Sequence, residues 1–437
     1  MFISKTPTFN LKVVLNETGL AADTLRAWER RYGLPLPQRT SGGHRLYSQH
    51  DIETIKWLIA RQAEGLSISR AVDAWNEALA SGSDPLAGAA SSALTVAQAG
   101  APASSLEAMR GDWLSACLRY DTSRAEQTLN QAFAANSVEI VCVEIILRGL
   151  FEIGRLWHEG KATVQQEHFT SEIATRKLEA LISATQPSTR NETILLACPP
   201  NEGHAFPLLL LTLFLRRRGW NAIHLGANVP VDQIEETLTV TKSKLVILAA
   251  QTLVNAARLR EMARALNKKG IAAAFGGRVF NSISGLQQRI PAHFLGNTIE
   301  YSIPAIEELV VNPRPAPEEE RVKKSLLKTS SVFQDARYQI EVALTDAIGT
   351  RVRPAEFLVT ANRFLGDNLI AALELGDISH LSTDILWISN LLTSHQIPVS
   401  TLPAYLAAYA QSVDKILGED GREISDWLKL ESAKLNV

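Results

Sequence analysis

Residues 193–207, TILLACPPNEGHAFP, decide how the middle of the chain folds. An apolar run at 193–198 meets Pro199-Pro200, turns through Asn201-Glu202-Gly203, and opens an apolar helical pattern over 205–218. Strands buried on both faces read as continuous apolar runs, and proline ends them. The unit then recurs. Apolar runs at 222–225, 245–250, 271–275 and 294–295 alternate with helical patterns at 231–240, 254–268 and 302–310. Strand–helix alternation at this spacing predicts a parallel, Rossmann-like α/β sheet. Ligands on such sheets lie beyond the carboxyl ends of the strands, where the strand order reverses. The loops at 199–204, 226–230, 251–253 and 276–278 are therefore expected to share one rim.

Outward from the sheet, the patterns change. Residues 105–187 repeat Ala, Leu and charged residues at three- to four-residue spacing, with almost no Gly or Pro inside the runs, which predicts helices. Residues 81–105, SGSDPLAGAASSALTVAQAGAPASS, offer little apolar area to bury and read as a flexible linker. Residues 312–321, NPRPAPEEER, carry three prolines and an acidic run and read as a stiffer one. Helical spacing returns at 331–347, 354–375, 377–393, 400–417 and 420–435. The expected organisation is multidomain. A DNA-binding module spans 1–80 and the first linker 81–105. A helical bundle covers 106–188, the α/β sheet 189–311, the second linker 312–321, and an all-α block 322–437.

Composition narrows the function. Among 437 residues, 44 basic and 46 acidic side chains leave a net charge of −2, so nucleic-acid binding must come from a local patch. Cys117, Cys142 and Cys198 form no CxxC pair, which argues against a disulfide framework or a cysteine zinc site and fits a reducing, cytoplasmic setting. The longest apolar run, 206–215, has ten residues and ends in Arg216-Arg217-Arg218, too short to span a bilayer, and the N-terminus lacks the apolar run of a signal peptide. No membrane role is expected. Catalytic triads and P-loops are absent from the sequence, so the expectation is a protein that is not an enzyme. Gly276-Gly277 follows a strand without GxGxxG, a poor fit to nicotinamide binding.

The local patch is at the N-terminus. Residues 11–16 and 21–31 read as two short helices around the turn Glu17-Thr18-Gly19, a helix-turn-helix spacing. Between residues 24 and 50 five arginines (26, 30, 31, 39 and 45) face one acid, Glu29, a local charge of +4. Gly42-Gly43 between two extended stretches suggests a β-wing. The stretch LRAWERRYGLPLPQRTSGGHRLYSQHDI closely resembles the MerR-type winged helix, whose members bind operator DNA as dimers. That resemblance implies that Arg26, Arg30, Arg31 and Tyr32 belong to the recognition helix. It implies that Arg39, His44, Arg45 and Tyr47 belong to the wing and its approach, with Trp28 in the core.

A second constellation lies at 152–168, where Trp157-His158 and Glu167-His168 flank a turn. Histidine is a common metal ligand whose second nitrogen is usually oriented by a carboxylate. On the residues alone, surface or capping roles for His158 and His168 are the better reading. Trp157, nine residues, then Glu167-His168 is similar to the W-x9-EH motif of the cobalamin-dependent photoreceptor repressors of the MerR type, the CarH/LitR group. In that group the bundle caps the upper face of adenosylcobalamin, with Trp, Glu and His around the adenosyl group. The resemblance implies that His158, at the position of that group's histidine after the Trp, caps the cobalt after photolysis. Glu202-Gly203-His204 resembles the D/E-x-H-x-x-G motif of cobalamin-binding sheets, which implies His204 as lower axial cobalt ligand and Glu202 as its hydrogen-bond partner. Pro207 replaces the motif's glycine. In the S-x-L motif the serine gives way to Ala250 or Gln251, while Leu253 keeps the leucine. Gly276-Gly277 matches the GG that lines the path of the cofactor's tail.

The resemblance thus implies a repressor that forms a homo-oligomer, a dimer or tetramer, on operator DNA and senses adenosylcobalamin and light. Two other readings stand beside it. The Pro207 and Ala250/Gln251 departures suit a cofactor-independent regulator controlled by a partner protein. The bundle-plus-sheet pair suits a corrinoid carrier of a methyltransferase, although a fused winged helix does not.

Overall fold

The computed structural model describes residues 7, 9–18, 20, 22–39, 45–63, 68–80, 103–232, 234–348, 355–382, 385, 388 and 401–435. The chain forms two compact units, one over Met1–Pro102 with Ala135–Ser137 and one over Ala103–Ala134 with Val138–Val437.

In the first unit, β1 (Phe9–Asn10) leads into α1 (Leu11–Thr18) and α2 (Ala22–Tyr32). Strands β2 (Gln38–Arg39) and β3 (Arg45–Tyr47) complete an antiparallel sheet in the order β1-β3-β2, with Phe9 opposite Tyr47 and Gln38 opposite Leu46. Leu25 and Trp28, three apart on α2, are buried with Val14, Ile52, Ile55 and Leu58, which leaves Arg26, Arg30 and Arg31 exposed. α3 (Gln49–Ala63) starts on a reciprocal cap: the Asp51 N–H donates to Ser48 Oγ, and the Ser48 N–H donates to Asp51 Oδ2. α4 (Ile68–Ala80) closes the core through Ala71 and Val72. The Gly42-Gly43 turn and His44 lie outside the described residues.

The second unit opens with α5 (Ala103–Leu118), so the last three residues assigned to the first linker are helical; 81–102 lie outside the described residues. α6 (Thr122–Ala135) follows, then a rod made of α7 (Val138–Ile140), a π-helical stretch at Val141–Leu147 and α8 (Arg148–His158). α9 (Val164–Ser183) is started by a capping box between Thr163 and Gln166. The Gln166 amide also donates to the Leu118 carbonyl at 2.7 Å, which fixes the start of α9 against the end of α5.

The sheet follows the sequence reading closely: β4 (Thr193–Ala197), β5 (Asn221–Gly226), β6 (Leu245–Ala249), β7 (Ala272–Gly276) and β8 (His293–Phe294), all parallel, in the order β5-β4-β6-β7-β8. The order reverses between β4 and β6, so the loops after these two strands meet. Alternate residues of β4 feed two cores. Ile194 and Leu196 pack with α10 (Phe206–Arg217), α14 (Ile299–Val311) and the bundle. Leu195 and Ala197 pack with α11 (Ile234–Thr241), α12 (Leu253–Lys268), α13 (Arg278–Ser282) and the C-terminal helices. No helix among the described residues is long and apolar enough to cross a membrane.

The stretch at 312–321 runs without helix or strand and is tied down: the Glu320 N–H donates to the Gln288 carbonyl at 3.0 Å, and Arg264 pairs with Glu319 at 2.7 Å. Beyond it, α15 (Lys324–Ile348), α16 (Ala355–Leu375), α17 (Thr401–Leu417) and α18 (Arg422–Lys434) share the core of α12. Phe333, Ile340 and Leu344 are fully buried there. At about 1.5–3 kcal/mol for each large side chain, burial of this kind docks the C-terminal helices firmly. Arg260 of α12 is buried in the same contact and donates to the Glu374 carbonyl. The helix expected over 377–393 begins as a 3-10 turn, Ile378–Leu381, capped by Asp377; most of the rest lies outside the described residues.

Candidate functional site

The centre of the rim is Glu202. Pro199 accepts the Glu202 N–H at 3.0 Å and closes a turn at the end of β4, and the Asn228 N–H braces it by donating to the Glu202 carbonyl at 3.0 Å. The carboxylate is fully buried. Its Oε1 accepts the His204 N–H at 2.9 Å and lies 2.6 Å from His204 Nδ1. Its Oε2 accepts the Gln251 N–H at 2.7 Å and the Asn255 side-chain amide at 2.9 Å. All of its lone pairs are used, and the loop after β4 is fastened to the loop after β6 across the strand-order reversal. Asn201 and Asn228 take left-handed backbone (φ 65° and 54°), and the Asn201 N–H donates to Asn228 Oδ1.

His204 is the opposite of its partner: its side chain is 69% exposed. With Nδ1 on the carboxylate, the pair leaves Nε2 unused. Burial pushes the Glu202 carboxyl up, but the hydrogen bonds from His204 and Gln251 outweigh it and hold the group below its ordinary range. The Glu202 hydrogen bond raises His204 against a smaller opposing effect of burial. Both shifts describe one polarised pair. The charge of Glu167, on α9, adds a smaller rise to His204.

Gly276 and Gly277 end β7. At Gly277 (φ 130°) a Cβ would run into the backbone of Ala250, so only glycine allows β7 and β6 to finish this close together. At Gly276 and at Gly203 a Cβ would meet nothing within 4 Å, which leaves the rim open. Pro207 sits in the first turn of α10, where a missing N–H costs nothing. Ala250 is fully buried and its N–H is spent on the Gly276 carbonyl. Leu253 is 2% exposed and packs in the core at the start of α12, so it supports the rim from beneath. Gln251 Oε1 accepts the Arg278 N–H at 3.1 Å, while its buried Nε2 finds no hydrogen-bond partner among the described residues.

At the bundle end, α8 stops at Trp157-His158 and the chain turns through Gly160 (φ 68°) into α9. Trp157 is half-buried against the bundle core, and His158 is half-buried beside it. One turn into α9, Glu167 accepts from Ser171 Oγ at 2.8 Å, and His168 is exposed.

In the winged unit the recognition helix exposes Arg26, Arg30 and Arg31, with Tyr32 packed partly into the core. Two wing residues turn inward instead. The Tyr47 hydroxyl donates to Glu29 Oε1 at 2.5 Å, and the Arg45 Nε–H donates to Glu29 Oε2 at 2.7 Å. Tyr47 is fully buried, and burial together with Glu29 pushes its hydroxyl well above the usual range. The expectation that Tyr47 meets DNA is therefore corrected: it and Glu29 clamp β3 onto α2. Arg39 lies on β2, and His44 falls outside the described residues. Sequence reasoning missed the roles of Glu29 and Asn255. A lone acid among arginines was the available signal for the first; for Asn255 there was none beyond its place near the start of a rim helix.

Residues 9–77 match the MerR HTH family regulatory protein, and residues 110–182, the helical bundle, match the B12 binding domain. The chain is 28% identical over 289 residues to the HTH-type transcriptional repressor CarH of Myxococcus xanthus, an alignment that spans 65% of this chain and 94% of CarH. It is 28% identical over 245 residues to the repressor CarA of the same organism, across 55% of this chain and 76% of CarA. Among solved structures, the monomethylamine corrinoid protein of Methanosarcina barkeri aligns at 16% identity over 45% of this chain and 95% of that one, with a TM-score of 0.37. The chain is thus homologous to the transcriptional repressors CarH and CarA, and it combines a MerR HTH match with a B12-binding-domain match.

Proposed function

We propose that the protein is a transcriptional repressor whose hold on operator DNA is governed by adenosylcobalamin and by light. The observation that carries this reading is the Glu202–His204 pair. A buried, saturated carboxylate grips one imidazole nitrogen and leaves the other for a metal, in a chain that also bears a winged helix. The residues fit the group: His204 would ligate cobalt from the sheet side, and the open positions at Gly276 and Gly203 leave room at the rim. Gly277 would keep the path of the tail narrow. Trp157, Glu167 and His168 would hold the group from the bundle side, with His158 as a further nitrogen there. When bound, adenosylcobalamin supplies a cobalt–carbon bond that visible light breaks. The chain's part is to bind, orient and respond. Its ligand-bound form must favour the DNA-competent homo-oligomer, since a ligand shifts an equilibrium only by its differential affinity. Arg26, Arg30 and Arg31 would contact DNA from α2, with Arg39, His44 and Arg45 on the wing side. In this reading the protein works in the cytoplasm and is not an enzyme.

The test is purification in the dark with adenosylcobalamin, desalting, and absorption spectra before and after green light. A retained corrin band that shifts on illumination and is altered in His204→Ala supports the reading, with operator binding then compared in dark and light. A colourless protein refutes it and turns attention to a partner protein.

A further inference from the structure

We propose that the edge of the sheet opposite the rim is a second nucleic-acid surface, one that holds the phosphate backbone of duplex DNA without reading its sequence. The inference rests on the DNA-binding reading above and extends it from the winged unit to the sheet. All five strands are parallel, so the loops that precede them share one edge. Those at 184–192, 218–220, 242–244 and 269–271 hold Arg190, Arg218, Lys242, Lys244 and Lys269 against one acid, Glu192. The rim loops at 198–205, 227–232 and 250–252 hold Glu202 and Asp232 and neither lysine nor arginine. The sheet is therefore electrically lopsided, in a chain whose net charge is −2.

Part of this charge is spent inside the fold. Arg218 pairs with Glu307 at 3.4 Å, and Lys269 pairs with Glu235. Arg190, Lys242, Lys244 and Lys268, the last residue of α12, are exposed and form no ion pair among the described residues. Helix C-termini favour nearby cations, which accounts for Lys268, but Arg190 and Lys244 stand outside the helices. Lys242 has left-handed backbone (φ 51°) just after α11, where glycine would fit without strain. Arg190 lies over the Trp220 ring, 4.2 Å from its centroid, which holds the guanidinium in place. Backbone hydrogen bonds at 3.0 Å, from Arg190 N to the Gly219 carbonyl and from Lys244 N to the Thr193 carbonyl, tie these loops together. In the order β5-β4-β6-β7 the charges form a row about 14 Å long, which matches roughly four phosphates of one DNA strand. Long lysines in an open row suit an extended polyanion rather than a small anion, and the winged unit of the same chain brings duplex DNA within reach.

The experiment titrates the full chain against a fluorescent duplex of arbitrary sequence, by anisotropy, over a range of salt concentrations. One variant carries Lys242→Gln, Lys244→Gln and Lys268→Gln together. A control removes the same charge from exposed positions elsewhere, Lys323→Gln, Lys324→Gln and Arg363→Gln. A third variant, Arg26→Ala with Arg30→Ala and Arg31→Ala, disables the recognition helix, and circular dichroism melts check that each folds. The first variant should bind roughly tenfold or more weakly at low salt, with a slope of log affinity against log salt shallower by about two to three. The control should stay within twofold of wild type. The third variant should keep a salt-dependent residue of binding that disappears when the three lysines are also replaced. Equal losses in the first variant and the control would overturn the inference, since the charge would then act only at long range. So would an unchanged slope, or lysine-dependent binding to phosphatidylglycerol vesicles without any effect on the duplex, which would assign the edge to a membrane. A wild type that binds no duplex at any salt would instead sink the DNA-binding reading itself.

Discussion

Replacing Glu202 by Gln tests whether this carboxylate organises the rim. Its oxygens accept from His204 N at 2.9 Å, Gln251 N at 2.7 Å and Asn255 Nδ2 at 2.9 Å, with His204 Nδ1 at 2.6 Å, and the residue is fully buried. A glutamine turns one of those acceptors into an NH2 donor. Asn255 can flip its amide, and an imidazole can move its proton. A backbone N–H can do neither, so either Gln251 N or His204 N loses its acceptor whichever way the new amide lies. One orphaned backbone donor plus weaker, neutral hydrogen bonds elsewhere amounts to about 3 kcal/mol. Native-state hydrogen exchange of the β4 and β6 amides should then quicken roughly a hundredfold at 1.4 kcal/mol per decade. The His204 pKa, followed by NMR titration, should fall, because the hydrogen bond that raises it becomes neutral. Exchange within threefold of wild type together with an unmoved His204 would refute the argument.

Five further outcomes follow from the two units. The folded-state pKa of Glu202 is lowered from 4.5, so its contribution is full above 4.5 and is lost as the pH falls. That of His204 is raised from 6.5, so its contribution is full below 6.5 and is lost as the pH rises. Melting temperatures measured from pH 3 to 9 should therefore differ most between wild type and Glu202→Gln in the window 4.5–6.5. Gly277→Ala should cost about 3 kcal/mol or more in urea unfolding, from backbone strain and a clash with Ala250; a neutral result would mean that β7 can move away. Gly276→Ala, whose methyl meets open space, should leave stability alone and weaken corrinoid binding in titrations. Glu29→Ala frees Arg45 and Tyr47 and should lower both the melting temperature and DNA affinity, whereas Arg30→Ala should lower affinity and flatten its salt dependence by about one ion.

The order of strands and helices was legible because period is local. An apolar run ended by proline marks β4, and a three- to four-residue repeat marks each helix, whatever they later touch. The Glu202–His204 pair was legible through its resemblance to a short motif, and the structure shows the carboxylate and the ring, two residues apart, bonding within one turn. The partners of that pair were not. Gln251 and Asn255 lie 49 and 53 residues from Glu202, and only the reversal of strand order between β4 and β6 brings them to it. The close approach of β7 to β6, which consumes the Ala250 N–H and buries its methyl, was equally invisible. The resemblance to the winged helix put Tyr47 with the wing and its DNA contacts; a hydrogen bond to Glu29, 18 residues away, turns it inward. The docking of the C-terminal helices on α12 was likewise invisible, because helical spacing records that a face is apolar and not which surface covers it. Local propensity and period write the elements into the chain, whereas hydrogen-bond partners and shared cores depend on which distant segments the fold makes neighbours.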